Sequence, residues 1–257
     1  MPFSKDRHMP GPGDAGGARL QSVDGLRGVA ILLMIVYHFS YDLSYFGFAR
    51  FDFYGDPFWL HARTLILSLF LLLVGVSLVL ATRSRPESRP APRRYLTRLG
   101  FLVGSAAIIS LSSYLMFGPR WIFFGVLHFI AVASVVGLLF VRRPWLAFGL
   151  GAALILLDRL FAHPWFDQPA WQWFGLMTYK PPTEDYVPFV PWFGVVLLGI
   201  FAGHWLRRRP GALWQWRSRR RPARLLAFAG RHSLWIYLLH QPLLLGLLWL
   251  AKRAIQP

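Results

Sequence analysis

The chain has 257 residues, of which 55% are hydrophobic and 15% are charged. A soluble domain carries about 25% charged residues, and several apolar runs here exceed the roughly 18 residues that mark a membrane-spanning helix. The composition therefore predicts an all-α polytopic membrane helical bundle. The formal net charge of +17 fits basic residues at the cytoplasmic surface of a membrane better than nucleic-acid binding. The absence of cysteine excludes disulfides, thiolate nucleophiles and Cys-ligated metals.

The first 20 residues differ in composition from the rest of the chain. They contain many Gly and Pro residues with scattered charges, which predicts a disordered cytoplasmic tail over residues 1–20. A signal peptide is not predicted, because the first apolar run is too long and no small-residue cleavage site follows it. Residues 21–257 are expected to form one transmembrane domain.

Seven apolar stretches predict about seven transmembrane helices. They cover about residues 24–47, 58–82, 96–117, 121–141, 144–162, 189–206 and 225–251. The connections alternate in charge: one side has the arginine-rich segments 83–98 and 207–224, and the other has few basic residues and holds Asp52, Asp56, Asp167, Glu184 and Asp185. The positive-inside rule then predicts a cytoplasmic N-terminus and an outside C-terminus.

The first predicted span carries polar residues on one face. Asp24, Arg27, Met34, His38 and Asp42 lie at helical spacing, and the opposite face is formed by Val, Ile and Leu. Arg27 and His38 are eleven residues apart, or about three helical turns, so both point to one side. An ionisable side chain inside a membrane is costly unless it faces protein or water, which makes this face a candidate functional site.

Two further histidines fall within predicted spans. His128 lies in WIFFGVLHFI and His240 lies in SLWIYLLHQP, where Pro242 frees a backbone carbonyl near Leu238. Each histidine is either a functional group or one end of an interhelical hydrogen bond that holds the bundle together. No HxxxH or HExxH spacing occurs, so no metal site is predicted.

Two residues near the predicted outer surface are candidates for binding a substrate. His61 begins the second span, where it either binds a substrate or is an ordinary residue of the membrane interface. Asp185 precedes the sixth span and has two interpretations. It binds a substrate hydroxyl or accepts a proton, or it caps the helix that begins near Pro188 or Pro191. The Pro- and aromatic-rich connection 163–188 either lies on the membrane surface or forms a lid or wall over an outward-facing site.

The cytoplasmic arginines have two interpretations. They set the topology and bind anionic lipid headgroups, or they bind the phosphates of a nucleotide-like donor such as coenzyme A. The candidates for the second role are Arg27, Arg93, Arg94 and Arg98.

Small residues recur in two spans. Gly75 in the second span, and Gly194, Gly199 and Gly203 in the sixth, remove the side chains that keep helix backbones apart. They predict close helix–helix contacts.

Five segments together carry a resemblance to a known family. DGLRGVAILLMIVYHFSYDL (24–43) resembles the first helix of the membrane acyltransferases, in which an arginine, ten residues and a histidine recur, here Arg27 and His38. Four later segments resemble, in this order, bacterial membrane proteins related to the catalytic domain of heparan-α-glucosaminide N-acetyltransferase. These are LFLLLVGVSL (69–78), FGVLH (124–128), PWFGVVLLGIFAG (191–203) and GRHSLWIYLLHQP (230–242). The resemblance covers roughly residues 20–252.

The resemblance implies an acyltransferase of the bacterial cytoplasmic (inner) membrane. It implies transfer of an acyl group, typically acetyl, from cytoplasmic acetyl-CoA to a sugar amine or hydroxyl of an extracytoplasmic glycan or envelope component. Acetyl-CoA is then a donor substrate and no permanently bound cofactor is expected; a homodimer is an open expectation. The eukaryotic enzyme has more helices and a lumenal domain, and its active-site histidine is placed near the lumenal end, where the nearest histidine here is His61.

The mechanistic hypothesis centres on His38. Acyl-CoA enters from the cytoplasm, and its thioester reaches between the first, fourth and seventh spans. His38 is the general base on the acceptor or transiently carries the acyl group, and Asp42 orients it. His128 and His240 are further candidates for acid–base or positioning roles.

Two other functional classes stay open. A transporter or flippase also uses membrane histidines and carboxylates, in proton relays, although no inverted repeat is evident. A non-catalytic membrane scaffold uses them only to hold helices together.

Overall fold

The computed structural model describes residues 20–83, 92–208 and 216–255. These residues form eight α-helices and two short 3₁₀ helices, so the all-α prediction is confirmed. The α-helices are α1 (Gln21–Tyr45), α2 (Pro57–Arg83), α3 (Pro92–Phe117), α4 (Val126–Gly137), α5 (Pro144–Leu160), α6 (Phe189–Arg208), α7 (Arg221–Arg231) and α8 (Ser233–Ile255). The 3₁₀ helices are Gly118–Arg120 and Pro164–Asp167.

Proline marks the start of several helices. Pro57, Pro92 and Pro144 are the first residues of α2, α3 and α5. Proline suits this position because its fixed φ matches the helix and its missing N–H would have no partner in the first turn. The local sequence therefore indicates where these three helices begin.

Five of the described helices are long and apolar enough to cross a membrane: α1, α2, α3, α6 and α8. A helix lies at each of the seven predicted stretches, but α4 has only 12 residues, about 18 Å at 1.5 Å per residue, against a hydrocarbon core of about 30 Å. The fourth stretch, predicted over 121–141, is thus shorter as a helix than expected. The number of crossings and the orientation of the termini stay predictions.

The seventh predicted stretch is divided into two helices at His232. The backbone N–H of His232 donates to the carbonyls of Phe228 and Ala229, and its ring Nδ1 lies 2.9 Å from the Phe228 carbonyl oxygen. The backbone and the side chain of one residue therefore satisfy carbonyls that the end of α7 leaves open. The sequence pattern alone treated α7 and α8 as one helix.

The main apolar core lies among α2, α3, α4, α5 and α6. Where α2 crosses α6, Gly75 faces the backbone of α6 and Gly199 faces the Leu72 carbonyl, with no room for a side chain at either position. Gly194 of α6 likewise faces the backbone of α5 at Gly151. The predicted close helix contacts through glycine are confirmed.

The polar helix α1 packs on the other side of the molecule, against α7, α8 and α2. Gly28 of α1 lies against the Leu226 carbonyl, and Gly230 of α7 lies against the Asp24 carbonyl. Further along, His38 of α1 meets His240 of α8. Helix α7 therefore runs antiparallel to the start of α1. Since His38 meets His240 and Asp42 meets Gln241, α8 runs in the same direction as α1.

Some predictions concern residues outside the described ranges. The tail prediction falls on residues 1–19 and on Leu20, the first described residue. The arginine-rich segment 83–98 is described from residue 92, and the side chain of Arg94 is outside the description. The single domain over 21–257 stays a prediction.

Candidate active site

Two of the predicted histidines meet at the interface of α1 and α8. His38 Nδ1 lies 3.5 Å from His240 Nε2, and the rings are stacked with centroids 5.0 Å apart and an interplanar angle of 27°. His240 is 8% exposed, while His38 is half-buried. The structure therefore joins residues 202 positions apart in the chain into one pair.

The hydrogen bonds define which nitrogen of each ring carries a proton in the neutral form. His240 Nδ1 lies 2.7 Å from the Tyr237 carbonyl oxygen, and because a carbonyl only accepts, His240 Nδ1 donates. His240 Nε2 is then an acceptor, and His38 Nδ1 donates to it. His38 Nε2 keeps a lone pair and is the nitrogen that can accept a proton from a substrate.

Asp42 pairs with a residue that the sequence analysis did not select. Gln241 Nε2 donates to Asp42 Oδ1 at 2.9 Å, one helical turn along α1 from His38. Asp42 is 1% exposed. Its described hydrogen-bond partner is thus Gln241, and the structure shows no bond from Asp42 to His38, which was its predicted role. A polar residue directly after His240 in an apolar span was the signal available for Gln241.

Aromatic rings pack on Tyr37, the neighbour of His38 in α1. The Tyr37 ring lies 5.9 Å from the His38 ring, 5.3 Å from Phe53 and 5.8 Å from Trp59, measured between centroids. Phe53 is buried. Phe53 of the connection between α1 and α2 and Trp59 of α2 therefore pack on Tyr37, the neighbour of His38, and form an aromatic wall there.

A small cavity continues outward from this wall. Its volume is about 150 Å³, and it is lined by Tyr41, Ser44, Tyr45, Phe51, Asp52, Phe53 and Tyr54. The hydroxyls of Tyr41 and Tyr54 lie 3.4 Å apart. Aromatic faces together with hydroxyl and carboxylate groups give this cavity the chemistry to bind a small polyhydroxylated molecule.

A second, larger groove runs beside His240 on the surface of α1 and α8. Its volume is about 380 Å³. Apart from His240, the side chains that line it are apolar: Ile35, Trp235, Ile236, Leu239, Leu243 and Leu244. This groove suits an acyl or other apolar chain and brings it alongside the histidine pair.

His128 lies apart from the pair and holds the start of α4. The N–H of Gly125 donates to His128 Nδ1 at 3.3 Å, so in the neutral form Nε2 donates to Ser110 Oγ, 3.0 Å away. Ser110 in turn donates to the Ile122 carbonyl at 2.6 Å. The described contacts of His128 thus join α3 to α4 and do not reach His38 or His240.

Asp185 caps a helix, but not the one expected. Its Oδ2 accepts from the N–H of Val126, the first residue of α4, at 2.9 Å, and the Tyr237 hydroxyl bonds the same carboxyl group. Gly125 lies directly against this carboxylate. Burial raises the pKa of Asp185, and the Val126 N–H and Lys180 oppose that rise. Of the two interpretations of Asp185, capping is realised at α4 and not at α6, and its role in binding a substrate stays a prediction.

This contact links the outer connection to the histidine pair through Tyr237. The Tyr237 hydroxyl bonds Asp185, and its carbonyl accepts from His240. The connection 163–188 also packs on the ends of neighbouring helices, because the Val187 N–H donates to the Phe124 carbonyl and the Phe189 N–H to the Trp173 carbonyl. Tyr237 was not selected from the sequence, since a tyrosine in a membrane span carries no charge.

His61 lies on the exposed surface at the start of α2. Its Nδ1 donates to the Pro57 carbonyl at 2.6 Å within the same helix. This contact matches the interfacial interpretation, and the role of His61 in binding a substrate stays a prediction.

The predicted donor-binding arginines occupy different surroundings. Arg27 donates to Asp24 Oδ1 at 3.1 Å and to Ser77 Oγ at 2.7 Å, so it joins the start of α1 to α2. Arg93 and Arg98 are exposed near the start of α3. Arg27 therefore has protein partners, and the binding of a donor phosphate by any of these arginines stays a prediction.

The described part of the chain contains no group of three or more His, Asp or Glu side chains that could hold a metal ion. Neither the curated proteins nor the solved structures give a match to this chain. A family comparison does give one, to "Heparan-alpha-glucosaminide N-acetyltransferase, catalytic", and the matched region includes the histidine pair and Asp42. Since this match extends over residues 19–242, most of the chain, the protein belongs to the family of the heparan-α-glucosaminide N-acetyltransferase catalytic domain and is an integral membrane protein of acetyltransferase type.

Proposed function

We propose that this protein transfers an acyl group, acetyl in the first instance, from cytoplasmic acyl-CoA to an amine or hydroxyl of an extracytoplasmic sugar. The bacterial inner membrane is its proposed location. The observation that carries the proposal is the His38–His240 contact inside the membrane domain of a chain from an acetyltransferase family. Membrane histidines are costly, and a stacked pair with one free ring nitrogen is suited to general-base catalysis.

In the proposed reaction His38 Nε2 takes the proton of the attacking N–H or O–H group. The acceptor atom bonds to the thioester carbonyl carbon, the C–S bond breaks, and coenzyme A leaves as a thiolate that takes a proton. While His38 is protonated, its Nδ1–H remains directed at His240 Nε2. The Tyr237 carbonyl holds His240 in the tautomer that accepts this bond. His240 is therefore a positioning and charge-stabilising partner.

The apolar groove beside His240 supports the donor side of the proposal. It begins at Ile35 and Trp235, on the predicted cytoplasmic side of the pair, and passes His240. The apolar part of an acyl-CoA can lie along it with the thioester near the histidines. The exposed Arg93 and Arg98 at the start of α3 are the proposed phosphate-binding residues, together with Arg94.

The aromatic wall and the small cavity support an acceptor that arrives from the other side. Phe53 and Trp59 pack on Tyr37, which directly precedes His38, and the cavity that Phe53 lines carries hydroxyl and carboxylate groups near the end of α1. Sugars bind to such surfaces through their apolar ring faces and their hydroxyls. Donor and acceptor then approach His38 from opposite ends of α1.

The direct test uses the purified protein in lipid nanodiscs with acetyl-labelled acetyl-CoA and D-glucosamine as acceptor. His38→Ala should lower acetyl transfer by about 100- to 10,000-fold, the usual contribution of a general base. The matched control is Ser40→Ala, because the bond that the described residues give Ser40 Oγ lies within α1, to the Val36 carbonyl at 2.9 Å. This control should keep wild-type transfer.

Transfer that is equal in the wild type and in His38→Ala would contradict the role of His38. Absence of acetyl-CoA turnover and of coenzyme A binding, with any acceptor, would contradict the acyltransferase itself. Proton flux driven by a substrate without consumption of acetyl-CoA would instead indicate a transporter.

A further inference from the structure

We infer that helix α7 is a binding site for an anionic glycerophospholipid at the predicted cytoplasmic surface of the membrane. Arg224 and Arg231 bind the phosphate of the lipid headgroup, and Leu225 and Phe228 contact its acyl chains. The inference concerns another part of the molecule than the histidine pair and does not depend on the proposed function.

The first observation is the composition of the exposed face of α7. Leu225 and Phe228 are 68% and 54% exposed, and Arg221, Arg224 and Arg231 are exposed as well. Arg224, Phe228 and Arg231 are four and three residues apart, so they lie on one face of the helix. This face therefore combines apolar side chains with positive charges.

The second observation is that the protein fixes which face of α7 is exposed. Ala227 and Gly230, on the opposite face, are buried, and Gly230 lies against the Asp24 carbonyl of α1, with no room for a side chain. Just before α7, Gln21 Nε2 donates to the Ser218 carbonyl and Gln21 Oε1 accepts from the Ser218 N–H, both at 3.0 Å. Helix α7 is thus held on the start of α1, and its basic and apolar face points away from the protein.

The third observation is that the positive charges of this region lack acidic partners in the protein. The chain has no Asp or Glu after Asp185, and no ion pair between described residues includes an arginine of α7. More exposed arginines directly precede the helix: Arg217, Arg219 and Arg220. The partner that compensates these charges therefore comes from outside the chain.

The depth of α7 in the membrane follows from this composition. Helix α7 has 11 residues, about 16 Å at 1.5 Å per residue, and is too short to cross the hydrocarbon core. Arginine is costly in that core, whereas Leu225 and Phe228 would expose apolar surface in water. A helix with arginine beside leucine and phenylalanine is typical of the boundary between headgroups and acyl chains. Both kinds of side chain find a suitable partner at this boundary.

The arginines select the charge of the lipid. A guanidinium group binds a phosphate through two parallel hydrogen bonds, and basic segments next to a spanning helix attract anionic lipids. A zwitterionic lipid carries a cation beside its phosphate, which the arginines repel. The ligand that matches α7 is therefore a phospholipid with a net negative charge, such as phosphatidylglycerol.

The test uses the full chain in nanodiscs that contain equal amounts of phosphatidylglycerol and phosphatidylcholine, without acetyl-CoA. Native mass spectrometry of the released protein measures the ratio of the two lipids that stay bound. The wild type should retain phosphatidylglycerol in preference. In the double variant Arg224→Gln/Arg231→Gln this ratio should fall by about 10- to 30-fold, because each arginine near an anionic headgroup contributes about fivefold.

The matched control is Arg142→Gln/Arg143→Gln, which also removes two exposed charges on the predicted cytoplasmic side. It should keep the wild-type ratio. A second variant, Arg221→Gln/Arg224→Gln, leaves the junction of α7 and α8 intact and should also lower the ratio, even if the first variant does not fold.

Three results would overturn the inference. The first is an unchanged ratio in the α7 variants, and the second is an equal fall in the control, which would mean that the lipid follows the overall charge of the protein. The third is loss of phosphatidylglycerol from the wild type when coenzyme A is added in excess, because the arginines of α7 would then bind the phosphates of that molecule and not a lipid headgroup.

Discussion

Two interfaces of this membrane protein use opposite chemistry. The contact of α2 with α6 is made by backbone against backbone, with Gly75 and Gly199 at positions where no side chain fits. The contact of α1 with α8 is made by polar side chains, with His38 against His240 and Asp42 against Gln241. Small residues give close packing in a membrane without any polar group. The polar interface is therefore the one whose groups we propose to have a further use, in catalysis.

The start of α1 shows how the protein supports this polar interface. Gly28 and Gly230 bring α1 and α7 into backbone contact, and Arg27 joins α1 to Ser77 of α2. Helix α1 is thus anchored by packing at one end and carries its buried polar pairs further along. The anchoring of α1 holds the two histidines next to each other, although the distance between His38 Nδ1 and His240 Nε2, 3.5 Å, is long for a hydrogen bond.

The largest effect is expected at the polar interface, in activity. His240→Phe keeps an aromatic ring of similar size against His38 and removes both ring nitrogens. We expect acetyl transfer to fall by about 100-fold, since His38 Nδ1 loses its acceptor, while the loss of the bond to Tyr237 costs only about 1 kcal/mol of stability. Transfer rate and melting temperature in nanodiscs measure the two effects. Leu247→Phe, on the exposed face of α8, is the control.

An unchanged transfer rate in His240→Phe would show that the histidine contact is structural. The α1–α8 interface would then serve packing alone, as the α2–α6 interface does.

The next effect is expected at the glycine interface, in stability. Gly199→Ala places a methyl group against the Leu72 carbonyl, whereas at Gly149 the same methyl meets no atom within 4 Å. Overpacking of this kind costs about 1–3 kcal/mol, and alanine in an open helical position is favoured over glycine by up to about 1 kcal/mol. Melting temperature should therefore fall in Gly199→Ala and hold or rise in Gly149→Ala. Equal melting temperatures would mean that α2 and α6 are less closely packed than described.

The smallest effect is expected at Asp185, the cap of α4, in the pH dependence of stability. Burial raises the pKa of Asp185, so the folded protein binds this proton more tightly than the unfolded chain does. The resulting stability is present at low pH and is lost as pH rises from about 4, the ordinary pKa, through the raised value. Asp185→Asn cannot titrate and keeps an oxygen for the Val126 N–H.

The measurement is the melting temperature of Asp185→Asn and of the wild type between pH 4 and pH 7. The wild type should lose stability relative to the variant as pH rises, and the non-titrating control Ser40→Ala should keep a constant offset. A constant offset for Asp185→Asn as well would mean that this carboxyl is not linked to folding.

Much of the site was predictable wherever the signal lies within one helix. His38 and Asp42 share a face because residues four apart do so in any α-helix, and each membrane histidine is noticeable by its cost. The partner of each polar group was harder to predict. Asp42 was expected to orient His38 and bonds Gln241 instead, and Asp185 caps α4 in place of α6. A contact between helices depends on how they are rotated and shifted, which one sequence does not state.

The sequence by itself determined that this is an all-helical membrane protein, roughly where its helices begin, and that histidines and a carboxylate lie inside its spans. Those properties depend on the length of apolar runs and on residue spacing, which are local. Only the tertiary structure decided that His240 and not His128 is the partner of His38, and that Gln241 and Tyr237 complete the site. Those groups come from segments about 200 residues from His38 and Asp42. Packing of α1 against α7 and α8 alone brings them into contact.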